Sequence, residues 1–221
     1  MELFDLARHF VEILLHLDKY LGQVIRDYGA WTNLILFVIV FCETGLVVTP
    51  ILPGDSLLFA AGTFAARGDL SLGLLLALIG FAAVAGDATN YMVGYLLGPR
   101  MNPEGGRFIK KKYLDRTHRF YEKYGKMTII LARFVPIVRT FAPFLAGVGA
   151  MRYMEFAAYN VVGGLCWVSL FLVGGYLFGN MAVVQNNFSF VIMGIILVSV
   201  MPIAVEYFKH RREEAARNGR G

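Results

Sequence analysis

The chain has 221 residues, 57% hydrophobic and 17% charged, with 24 glycines, 18 phenylalanines and a mean hydropathy of +0.58. Soluble domains carry about 25% charged residues, so this composition excludes a disordered or nucleic-acid-binding chain and argues for a single all-α multi-pass membrane domain. The net charge of +5 is concentrated between Arg100 and Lys126 and again at Lys209, Arg211, Arg212, Arg217 and Arg220; basic clusters flanking apolar runs mark a cytoplasmic face.

Residues 3–27 place Leu3, Leu6, Phe10, Ile13, Leu14, Leu17, Leu21 and Val24 at helical spacing, with Glu12, Asp18, Lys19 and Arg26 between them. That is the pattern of an amphipathic helix lying in the membrane interface. It lacks the basic start and uninterrupted apolar core of a signal peptide, so the mature chain is expected to keep it. Residues 34–66 are apolar but interrupted by Glu43, Pro50, Pro53, Gly54 and Asp55, and residues 70–98 read as a long transmembrane helix that contains Asp87 and Asn90.

Between 100 and 126, Phe108, Phe120, Tyr121 and Tyr124 alternate with basic residues, as in a helix resting on an anionic cytoplasmic leaflet. Residues 127–151 form a second interrupted stretch, with Arg133, Pro136, Arg139, Pro143 and Gly147. From Phe156 to Val205 no Asp, Glu, Lys or Arg occurs, and a polar dip over Asn180–Asn187 divides the run into two helices. The resulting division is a first repeat (1–98, including the amphipathic helix), a basic cytoplasmic linker (99–126), a second repeat (127–186), a last transmembrane helix (187–208) and a basic cytoplasmic tail (209–221).

Proline removes a backbone donor and breaks a helix, and broken backbone at membrane depth survives only inside protein or beside a water-filled cavity. The two interrupted stretches are therefore expected to be re-entrant hairpins, with breaks at Pro50, Pro53 and Gly54 and at Pro136, Pro143 and Gly147; a pair of kinked spans is the alternative. The segment Phe59–Arg67 recurs with changes as Phe144–Arg152, and Gly94-Tyr95-Leu96-Leu97-Gly98 recurs as Gly175-Tyr176-Leu177-Phe178-Gly179. With the linker and the tail both cytoplasmic, equivalent helices of the two halves run in opposite directions. This is the signature of an inverted-topology repeat, whose interrupted segments frame a midplane site.

An ionisable residue at the bilayer centre costs about 2.5–3.5 kcal/mol on insertion scales, so Glu43, Asp55, Arg133 and Arg139 each need a reason. One reading is structural ion pairing across the interface of the two hairpins. The functional one is a phosphate site: arginine stays charged and binds phosphate bidentately, half-helix N-termini add positive dipole ends, and carboxylates in a poorly hydrated pocket exchange protons with the arginines' occupancy. Asp87 and Asn90 either line the same cavity or, for Asp87, make a packing contact with Asn160 or a backbone group. Cys42 and Cys166, within apolar runs, are expected to be small buried hydrophobes, and Trp31 and Trp167 to be interface anchors or packing residues.

No enzymatic, metal or cofactor signature emerges. Gly86-Asp87 has Val84 where an intramembrane aspartyl protease has its first glycine, His9, His16, His118 and His210 fall in amphipathic or loop segments, and no His-Glu-x-x-His motif is present. The expectation is a carrier, not an enzyme, with no catalytic residue and no cofactor.

Phe41-Cys42-Glu43-Thr44-Gly45 with Pro53-Gly54-Asp55-Ser56, and Ala132-Arg133-Phe134-Val135-Pro136-Ile137-Val138-Arg139-Thr140 leading to Ala146-Gly147, resemble the signature segments of the bacterial DedA family. The similarity extends through Gly86-Asp87-Ala88-Thr89-Asn90-Tyr91 and Ala158-Tyr159-Asn160 and covers about residues 5–212. It implies a bacterial inner-membrane protein whose VTT domain is shared with eukaryotic lipid scramblases. Members of that family are linked to returning undecaprenyl phosphate across the membrane, to envelope integrity, to proton-motive-force-dependent tolerance of alkaline pH and to resistance to cationic antimicrobials. The resemblance also implies that the charges at Glu43, Asp55, Arg133 and Arg139 are the required ones. The joint expectation is a proton-linked carrier in which Arg133 and Arg139 hold a lipid phosphate and Glu43 and Asp55 exchange protons. A proton-coupled small-ion or metabolite transporter and a gradient-independent phospholipid scramblase are the alternatives.

Overall fold

A computed structural model describes residues 16–46, 54–98, 118, 121–149 and 151–198. Among them the chain is helical without strands: α1 (Leu17–Tyr28), a 3-10 turn (Gly29–Trp31), α2 (Thr32–Gly45), α3 (Gly54–Ala66), α4 (Leu72–Leu97), α5 (Thr128–Ala132), α6 (Pro136–Val148), α7 (Tyr153–Phe178), α8 (Ala182–Asn186) and α9 (Phe188–Val198). Three helical runs, Leu17–Gly45, Leu72–Leu97 and Tyr153–Phe178, are long and apolar enough to cross a membrane. Large apolar side chains such as Phe81, Leu96, Met154, Leu170 and Phe190 are exposed, the inside-out surface that lipid would cover. The protein is an all-α membrane protein.

α1 has the expected amphipathic character, with Leu17, Leu21 and Gly22 buried, but it packs on α3, where Gly22 faces the Phe64 ring. At Gly29 the backbone takes φ +52°, and the 3-10 turn redirects the chain into α2. Residues 3–15 of the expected helix lie outside the described residues, as do Pro50, Pro53, most of the basic linker and the tail.

α3 and α6 have 13 residues each, about 20 Å at 1.5 Å per residue, well short of the ~30 Å hydrocarbon core, whereas the 14 residues of α2 continue the run that starts at Leu17. α3 begins at Gly54, and α6 begins at Pro136 after a turn through Arg133–Val135. Two expected breaks do not occur. Pro143 lies inside a continuous α6, and two carbonyls of the turn before it take side-chain donors, Asn90 Nδ2 to Thr140 O at 2.9 Å and Tyr121 Oη to Ala142 O at 2.9 Å. Neighbouring segments thus brace the turn in which proline removes the bond to the Arg139 carbonyl. Burial, with the Asp87 charge adding to it, pushes the Tyr121 phenol up, so it remains a neutral donor. Gly147 is likewise no break; it is a crossing point.

α3 packs along α7 and α6 along α4, and the same contact is built twice. A Cβ on Gly62 would come within 2.2 Å of Leu172 O, and one on Gly175 within 2.0 Å of Phe59 O; a Cβ on Gly147 would come within 2.1 Å of Tyr91 O, and one on Gly94 within 2.1 Å of Phe144 O. The four glycines lie in the two sequence segments that recur. A third close approach sets Gly45 of α2 against Gly86 of α4. The main core is shared by α1, α2, α3, α4, α7 and α9, around Leu36, Leu58, Leu75, Trp167, Leu172 and Ile192. α7 ends at Phe178, and the turns at Gly179–Met181 and Asn187 fall in or at the edge of the polar dip.

Candidate functional site

The ends of short helices carry charges to the centre of the packed helices. Glu43 sits in the last turn of α2, Asp55 in the first turn of α3 and Arg139 near the start of α6; Glu43 and Arg139 are 7% and 9% exposed. Arg139 Nη1 lies 3.5 Å from Glu43 Oε1 and 3.4 Å from Asp55 Oδ1. Glu43 stands at the negative end of α2 but accepts the first N–H of α3, from Gly54, at 3.2 Å, so the positive end of one helix dipole offsets the negative end of another. Gly54 is required there, because a Cβ would fall 2.1 Å from Glu43 Oε2.

Trp167, in the middle of α7 and fully buried, completes this group. Its ring lies 4.0 Å from the Arg139 guanidinium, and its Nε1–H donates to Asp55 Oδ1 at 2.8 Å. The sequence reading left it as an anchor or packing residue. Anchors belong near helix ends, where the interface lies, so its central position in a 26-residue helix was an available signal. Trp31, by contrast, is exposed, as an anchor should be.

Arg133 does not join Arg139 on the acid pair. From the turn after α5 its Nη2 donates to Asp87 Oδ2 of α4 and to Asn160 Oδ1 of α7, both at 2.5 Å, and Asn160 Nδ2 donates to Val84 O at 2.9 Å. The flat faces of Gly163 and Gly164 make room for its side chain. Asp87 is therefore the counter-ion of Arg133, and Asn160 is a second ligand of the same guanidinium rather than the partner of Asp87. Asn90 donates to Thr44 O at 3.3 Å and to Thr140 O at 2.9 Å, tying the end of α2 to the start of α6.

Several buried polar atoms have no hydrogen-bond partner among the described residues: Arg133 Nε and Nη1, Arg139 Nη2, Glu43 Oε2, Asp87 Oδ1 and Asn90 Oδ1. Among the described residues both arginines thus have N–H groups without a partner in a buried setting, where each unmet donor costs about 1–3 kcal/mol. Water or an anionic ligand could satisfy them. No group of three or more His, Cys, Asp or Glu among the described residues could hold a metal ion. Cys42 is half-buried and Cys166 exposed on α7; the latter corrects the expected burial, since a lipid-facing helix surface admits a small apolar side chain as readily as a core does.

The model of the VTT domain matches residues 52–177, more than half of the chain. Protein DedA of Escherichia coli (strain K12) is 52% identical over 215 residues, covering 96% of this chain and 98% of that one. An uncharacterized membrane protein of Mycobacterium tuberculosis (strain ATCC 25618 / H37Rv) is 45% identical over 173 residues, 77% of this chain and 76% of its own. The inner membrane protein YqjA of Escherichia coli (strain K12) is 33% identical over 147 residues, 66% of this chain and 67% of its own. No solved structure matches.

Proposed function

The chain belongs to the DedA family of VTT-domain membrane proteins, and from that premise we propose that it carries a phosphate-bearing lipid, with undecaprenyl phosphate the leading candidate, across the bacterial inner membrane in a proton-linked cycle and without enzymatic chemistry. The observation that carries this reading is Arg139, which lies between Glu43 and Asp55 at the ends of three helices while its Nη2, like Nε and Nη1 of Arg133, has no partner among the described residues. An acid-neutralised arginine with unmet donors suits a ligand that competes with the acids.

In the proposed cycle the phosphate engages Arg139 and the free edge of Arg133 while the isoprenoid tail stays in the bilayer. Protonation of Glu43 and Asp55 removes the competing charges and lets the phosphate take Arg139; proton loss restores the ion pairs and favours release. The short helices are read as re-entrant hairpins and the two halves as an inverted-topology repeat, with the linker and C-terminus cytoplasmic. Support comes from the doubled glycine crossings, which pair α3 and α6 each with the long helix of the other half, and from the basic clusters. Reading the inner membrane as the location extends what is named for YqjA.

A second reading, gradient-independent scrambling, is favoured by the buried pairing of both arginines with acids, which a purely structural role would also produce. Reconstitution with undecaprenyl phosphate in liposomes separates them. Wild-type movement should rise with a pH gradient, and a Glu43→Gln/Asp55→Asn variant should lose that dependence. Movement indifferent to the gradient favours scrambling, and absence of lipid movement favours a small soluble anion. If Arg139→Ala moves lipid as fast as wild type, the phosphate role of Arg139 is wrong.

A further inference from the structure

Trp167 meets both members of one ion pair. Its N–H donates to Asp55 Oδ1 at 2.8 Å, whereas Arg139 stands 3.4 Å from that same oxygen. Charge-assisted N–H···O bonds are usually about 2.7–2.9 Å long, so the short bond on this oxygen comes from the neutral indole. Arg139 rests on the ring face at 4.0 Å, an attraction that does not require a carboxylate. The indole comes from α7, the carboxylate from α3 and the guanidinium from α6, so the three meet only in the folded protein.

We propose that Trp167 is a positioning residue that makes Arg139 exchangeable: its N–H holds Asp55, and its ring holds Arg139, so that the guanidinium can turn to an anionic phosphate without stranding either group. The inference rests on the phosphate-carrier reading and adds a residue to it. An indole is a donor only, so it neither titrates nor competes with the ligand as an acid would. When the phosphate draws Arg139 off the ring, Asp55 keeps its donor and the indole loses its cation, which changes the surroundings of the chromophore.

The chain has two tryptophans, and Trp31 is exposed and makes none of these contacts. A Trp31→Phe protein in detergent therefore reports Trp167 emission alone. The probes are undecaprenyl phosphate, inorganic phosphate and the uncharged alcohol undecaprenol, with binding followed in parallel by radiolabel. A saturable change in emission with the lipid phosphate alone assigns the site to a lipid head group, and a change with both anions means that phosphate suffices; either outcome supports the proposal, provided undecaprenol has no effect. Trp167→Phe, which keeps the ring but loses the N–H, should bind the lipid phosphate about tenfold more weakly, because Asp55 then competes harder for Arg139. If the lipid phosphate binds but emission stays unchanged, or Trp167→Phe binds as tightly as wild type, this inference is overturned and the carrier reading stands. Absence of binding by any anion to the otherwise native protein overturns both.

Discussion

Arg133 is held at 2% exposure by bonds to Asp87 and Asn160. Removing one partner of a buried ion pair leaves an uncompensated charge, at a cost of about 3–5 kcal/mol, whereas replacing both by apolar groups is often neutral. Asp87→Asn should therefore lower the thermal unfolding midpoint in detergent clearly, and the double change Asp87→Leu/Arg133→Met should recover most of it while abolishing transport. A double variant as unstable as the single one would show that Asp87 does more than neutralise Arg133. Gly54→Ala tests the other group: its Cβ would displace the Glu43 carboxylate, so gradient-dependent transport should fall about tenfold or more, the size expected for losing a hydrogen bond to a charged group. Near wild-type transport rates in the same liposome assay would show that the Gly54–Glu43 contact is dispensable.

At the scale of elements, glycine is used where helix backbones touch. Gly175 and its neighbour Gly174 lie on one helix, yet a Cβ on Gly175 would strike Phe59 O, while one on Gly174 meets nothing within 4 Å. Gly174→Ala should thus be neutral or stabilising by up to about 1 kcal/mol through helix propensity. Gly175→Ala forces two backbones apart and should destabilise by about 1–3 kcal/mol or more. Equal unfolding midpoints for the two variants would contradict the crossing geometry. The same contrast applies to Gly147→Ala against Gly73→Ala, since Gly73 also faces open space. The order of helices and the break before Pro136 were readable from proline and hydropathy. The continuity of α6 through Pro143 was not, because the turn before it is braced by Asn90 and Tyr121, distant in sequence.

For the whole molecule, the distribution of basic residues predicts sidedness. In a background with Cys42→Ser and Cys166→Ser, Lys112→Cys and Arg217→Cys should both react with an impermeant maleimide only after the cytoplasmic face is opened, following the bias of Lys and Arg toward that face. Labelling of the two positions from opposite sides would defeat the inverted arrangement of the halves.

Length, hydropathy and the placement of charges were enough to determine an all-helical membrane protein, the approximate extent of its long helices and the identity of the residues too polar for their surroundings, because burial in lipid penalises each such residue whatever its neighbours. The recurrence of Phe59–Arg67 and Gly94–Gly98 also marked, without explaining them, the glycines at which helices cross. Which charge pairs with which was decided only in three dimensions. Arg133 and Arg139 lie six positions apart in the chain, yet one turns to α4 and α7 and the other to α2 and α3, and Trp167 reaches Asp55 across 112 positions. Hydrogen bonds and close ion pairs form only at contact distance, so partners are chosen by where the helix crossings bring side chains together.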